Sequence, residues 1–76
     1  MSTNAAEIEL ESTYEIESLS EGSLHQKLSE MGCIPGTEIE KLFTAPGGDP
    51  VAYRIDSYIL GLRLAEASQI MVKRVK

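Results

Sequence analysis

The apolar positions of this chain change period several times, and each change marks a new element. Ile8 and Leu10 alternate with glutamates and the alternation resumes at Tyr14, Ile16 and Ser18, which predicts a strand with one buried face and a candidate interruption at Ser12-Thr13. After a turn at Ser20–Ser23, Leu24, Leu28 and Met31 recur at i, i+4 and i+7, the spacing of one helical face. Gly32 follows the last apolar position, where a helix often ends in the left-handed conformation that glycine adopts cheaply, and Pro35 prevents resumption. Pro35-Gly36 suits the centre of a type II turn, which leaves Cys33 as the one residue of this corner without an assigned role.

Ile39, Lys41 and Phe43 then share one face of a second strand, with Glu38, Glu40 and Leu42 on the other. Ala45-Pro46-Gly47-Gly48-Asp49-Pro50 is the strongest loop signal, and it leads into a strand at 51–55 with Val51, Tyr53 and Ile55 on one side. Asp56-Ser57 turns the chain into Tyr58–Arg63, where Gly61 permits a bulge or a close backbone approach. A single helical turn at Leu64–Gln69 precedes a last strand at Ile70–Val75. Residues 1 to 7 carry no periodicity and read as a disordered leader to a domain at 8–76. The expected fold is mainly β: a small five-stranded barrel with one short helix after the first strand and one helical turn before the last.

Size sharpens this picture. A chain of 76 residues is one domain with a small core, and one cysteine excludes an internal disulfide. A lone thiol suits a reducing compartment, no apolar run reaches the about 18–20 residues that span a bilayer, and the N-terminus lacks a signal-peptide pattern, so a cytoplasmic protein without membrane insertion is expected. Net charge −5 opposes association with phosphate backbones, which argues against nucleic acid. Glutamates crowd the first third while Lys73, Arg74 and Lys76 end the chain, so the two ends attract if the fold brings them together; otherwise the acidic segment is a solvated face, which is the commoner case.

Catalytic and metal chemistry find few residues. Cys33 with His25 and Glu30 supplies too few ligands for a transition-metal centre in a monomer, which leaves Cys33 as a small apolar filler of its corner, and no third group orients a Cys33–His25 nucleophile. Pro46-Gly47-Gly48-Asp49 lacks the lysine and hydroxyl of a phosphate-binding loop. No cofactor is expected. Contact with a partner remains, and Leu24, Lys27, Met31, Tyr53, Tyr58 and Leu60 are the candidate contact residues, each apolar one having a core reading of at least equal weight. With one Phe, three Tyr and no Trp, the aromatic lining of a proline-rich peptide groove is missing.

The order of these signals resembles the FeoA family. The match is carried by Leu24 to Gly36 (L-x-x-x-L-x-x-M-G-x-x-P-G), by Ala45–Pro50, and by Leu62-Arg63 followed by Glu66-Ala67 and Ile70-x-Val72. It covers Tyr14 to the C-terminus. The resemblance implies an SH3-like barrel and a non-enzymatic accessory of ferrous iron uptake that binds the cytosolic, GTPase-bearing part of the FeoB transporter. A similar domain ends DtxR-type metal-dependent repressors, so an SH3-like interaction module or a stand-alone metal-regulator domain is the alternative, and the free-standing length favours the accessory. Lys27 stands where the family usually has arginine, which keeps the charge and loses the forked donor geometry; Asp56-Ser57-Tyr58 replaces a turn that usually holds glycine. A GTPase partner also raises the idea of an arginine supplied in trans by Arg54, Arg63 or Arg74, all on predicted strands. A weak homo-oligomer is compatible with an exposed strand.

Overall fold

The computed structural model describes residues 2–75, with side chains from residue 3. In chain order the elements are β1 (Ser2–Asn4), a 3-10 turn (Ala5–Glu7), β2 (Thr13–Leu19), α1 (His25–Glu30), β3 (Glu38–Thr44), β4 (Val51–Ile55), β5 (Tyr58–Leu62), α2 (Leu64–Ala67) and β6 (Ile70–Arg74). The strands form one antiparallel sheet of order β1-β6-β2-β3-β4-β5. The mainly β class and the two short helices are as the pattern predicts, with six strands in place of five.

The additional strand corrects the reading of residues 1–7 as disordered. Ser2–Asn4 pairs with β6, Asn4 accepts a hydrogen bond from the Ala6 N–H at 2.9 Å, and Ala5 is fully buried. Met1 lies outside the described residues. A short polar segment becomes ordered because β6 offers it an unpaired ladder, which no local periodicity reports.

Two bulges explain where the simple alternation slips. In β2 the register with β6 shifts between Ile16 and Ser18, so the buried face continues at Leu19 and leaves Ser18 outside. In β3 the register with β4 shifts between Lys41 and Phe43. Phe43 therefore faces outward opposite Ala52 and is 62% exposed, while Ile39 is buried. Of the two roles open to Gly61, a bulge does not form: it lies in an unbroken ladder opposite Ala52.

The core takes Tyr14, Ile16, Ile39, Tyr53, Ile70 and Val72 from the strands and Leu28 from α1, among others. Complete burial of each aliphatic side chain is worth about 1.5–3 kcal/mol, which α1 needs because six residues cannot hold a helix by propensity. The curl of the sheet brings Tyr53 of β4 back to the segment after β1, where its hydroxyl donates to the Ala5 carbonyl at 2.6 Å. The fold does bring the chain's two ends together, the less common of the two arrangements: Arg74 lies 3.3 Å from Glu9, bonds Ser12 Oγ at 2.9 Å and stacks over Tyr14 at 5.7 Å, and Glu15 stands opposite Lys73. Lys76 is outside the described residues.

Candidate functional site

The helix α1 owes its end to a Schellman motif. The Cys33 N–H bonds the Leu28 carbonyl at 3.0 Å, and the Gly32 N–H bonds the Ser29 carbonyl at 3.1 Å. Gly32 has φ +97°, the conformation this motif requires, and Cys33 occupies the following position, whose apolar side chain packs back toward the helix. Cys33 and Leu28 are both fully buried in the core. The thiol thus has a structural role: it is the apolar member of the helix stop. Burial, with the Glu66 charge adding to it, pushes the thiol up to about 11, so Cys33 stays protonated and weakly nucleophilic at neutral pH.

The type II turn predicted at Pro35-Gly36 forms, with the Thr37 N–H bonding the Ile34 carbonyl at 3.1 Å and Gly36 at φ +94°. Gly36 and Thr37 then exchange backbone bonds with Ile16, stitching the corner to β2.

Tyr58 closes this corner from β5. Its hydroxyl donates to the Met31 carbonyl at 2.9 Å and lies over Gly32, where any Cβ would collide with it. Lys27 joins the same face to α2, its ammonium 2.6 Å from Glu66. Glu66 also accepts the Arg63 N–H at 2.9 Å, and these bonds hold its carboxyl below the ordinary range, Lys27 contributing most. Asp49, from the glycine-rich loop, accepts the Leu64 N–H at 3.0 Å, so that loop serves α2 and not a phosphate.

The fold brings most of the candidate contact residues together. Lys27 is exposed on α1 with Leu24 and Met31 half-buried beside it, Tyr58 reaches them from β5 through the Met31 carbonyl, and Leu60 packs half-buried against the core. Tyr53 drops out as a correction: it is fully buried, and burial pushes its phenol up to about 12. Its alternation with Val51 and Ile55 is the signal that places it inward. Sequence reasoning missed Phe43 and Ile59, which stand 62% and 64% exposed on the outward side of β3 and β5. For Ile59 the strand alternation was available, whereas Phe43 needed the bulge.

Arg54 is committed to Glu40, with two bonds of 3.0 and 2.7 Å, and to the Asp56 carbonyl at 2.8 Å. Among the described residues there is no group of three or more His, Cys, Asp or Glu arranged to hold a metal ion, and His25 Nδ1 is buried without a hydrogen-bond partner. No described helix is long and apolar enough to cross a membrane.

Comparison with known proteins identifies the fold and the family. The model of the FeoA domain matches residues 4–74. The FeoA-like protein of Clostridium acetobutylicum has 34% identity over 99% of this chain and 88% of its own, with a TM-score of 0.91. Iron(II) transport protein A of Clostridium thermocellum has 36% identity over 96% of this chain, which spans 46% of that protein, with a TM-score of 0.88. The zinc-complexed FeoA of Stenotrophomonas maltophilia, a prokaryotic SH3 domain protein, shares the fold at 24% identity, a TM-score of 0.83 and coverage of 93% of this chain and 89% of that one. No curated protein matches. With a family model spanning nearly all of it and relatives above 30% identity, the chain belongs to the FeoA family.

Proposed function

We propose that this domain is a cytoplasmic, non-catalytic accessory of ferrous iron uptake that binds the cytosolic part of a FeoB-type transporter and modulates it. Family membership supports the transport role, and the Stenotrophomonas protein has itself been put forward as a ferrous iron transport activating factor. The observation that carries the reading to particular residues is the face where α1, β5 and α2 are tied together by Lys27–Glu66 and Tyr58–Met31. Leu24 and Met31 add half-buried apolar area beside an exposed cation there, a composition suited to protein contact.

The test is direct binding between this chain and the transporter's cytosolic domain, measured with GTP analogue, with GDP and without nucleotide. Binding in at least one state, weakened at least fivefold by Lys27→Glu, is expected. No binding in any state would sink the proposal. Purified protein that leaves the GTPase rate unchanged would separately remove the idea of an arginine acting in trans.

A further inference from the structure

The sheet has an unprotected edge at β5. Its residues, Tyr58-Ile59-Leu60-Gly61-Leu62, include no charge and no proline, and their pairing with β4 runs without a bulge. Those are the devices by which sheet edges ordinarily avoid other strands. The two-residue Asp56-Ser57 turn makes Ile55 and Tyr58 the first hydrogen-bonded pair of the hairpin. By alternation, Tyr58, Leu60 and Leu62 bond β4, while the N–H and C=O groups of Ile59 and Gly61 point to the open side.

The side chains along that edge complement their own reverse. Ile59 is 64% exposed on the outward face, and a Cβ built at Gly61 would meet nothing within 4 Å. An antiparallel copy centred on Leu60 sets each Ile59 beside the vacant space above Gly61 of the other chain. It also makes Ile59 and Gly61 a hydrogen-bonded pair twice over, which uses the free backbone groups. The strand's ends carry opposite charges, Asp56 before it and Arg63 after it; among the described residues neither forms a close ion pair, the Arg63 charge acting only at longer range on Glu66. The same two-fold places Arg63 of one copy across from Ser57 and next to Asp56 of the other. Parallel pairing would instead bring like charges together.

We propose that β5 is a self-association edge through which two copies pair antiparallel about Leu60, joining two six-stranded sheets into one. One short strand per partner buries little area, so the dimer is weak, with dissociation in the sub-millimolar range. This goes beyond the transporter contact and stands without it, since it rests on β5 and its flanking charges.

The test uses the full chain in solution. Sedimentation equilibrium from micromolar to millimolar concentration should show a reversible dimer, abolished by Ile59→Lys, whose exposed position leaves the fold intact by circular dichroism. In a mixture of labelled and unlabelled chains, intermolecular NOEs should join Ile59 methyls to the Gly61 α-protons, and the Ile59 and Gly61 amides should gain exchange protection as concentration rises. A chain that stays monomeric throughout overturns the proposal, as does a dimer that survives Ile59→Lys. Protection of these amides only on adding a partner's extended peptide would assign the edge to another chain and overturn it equally.

Discussion

The corner that ends α1 and the outward side of β3–β5 carry apolar residues in opposite circumstances. At the corner each group is answered: Gly32 has the φ the motif needs, Cys33 packs with Leu28 in the core, and Tyr58 bonds the last carbonyl. On the outward side Phe43 and Ile59 stand in solvent with nothing over them in the isolated chain. Residues of similar hydropathy thus stabilise the fold in one place and are available to partners in the other, and register decides which.

Substitutions sharpen that contrast. The largest effect is expected for Gly32→Val, about 3 kcal/mol or more by chemical denaturation, because a β-branched residue is strained at φ +97° and its Cβ would displace the Tyr58 hydroxyl. If the collision is the main cost, Gly32→Ala should be markedly cheaper in a Tyr58→Ala background than alone, since the three atoms nearest the added Cβ all belong to Tyr58.

Cys33→Ser should follow, at about 1–3 kcal/mol, by placing an unpartnered hydroxyl in a fully buried site. The thiol also predicts a pH dependence. Its folded pKa of about 11 lies above the ordinary 9.0, so its contribution is complete below pH 9 and is lost as pH rises toward 11. Cys33→Ala should remove that part of the alkaline loss, leaving the part due to Tyr53 at higher pH.

The Lys27–Glu66 tie should matter less, because Lys27 is exposed: a double-mutant cycle should give below about 1 kcal/mol. Glu66's lowered pKa makes its contribution present above the ordinary carboxylate range and lost as pH falls through the folded value. At the open side, Phe43→Ser should change stability by no more than about 0.5 kcal/mol. A loss several times larger would mean that Phe43 packs on something in the folded monomer, and the contrast between the two regions would break.

Local chemistry explains why the corner was readable. The helix face, Gly32 as its stop and Pro35-Gly36 as a turn depend on neighbours within a few residues, and the structure reproduces each. Cys33 was readable as a small apolar filler, which its complete burial bears out, but not as the member of the helix stop that the Schellman geometry returns toward the helix. Phe43 and Ser18 were misassigned for one reason: a bulge adds a residue without altering composition. The N-terminal segment failed differently, since the order of Asn4 and Ala5 comes from β6, some seventy residues away in sequence. Of the proposed contact face, Lys27 and Tyr58 were identifiable as residues, but their partners Glu66 and the Met31 carbonyl are supplied by tertiary structure.

The pairing of β1 with β6, Ser2 opposite Lys73, has a consequence for how such a domain travels between proteins. Entry and exit of the chain lie on adjacent strands, about 5 Å apart. A longer polypeptide can therefore carry this unit as a side branch, spliced into a surface loop or hung from a linker, without stretching either junction. Solved structures of similar fold in which the matched segment is less than half of the chain are what such portable geometry allows.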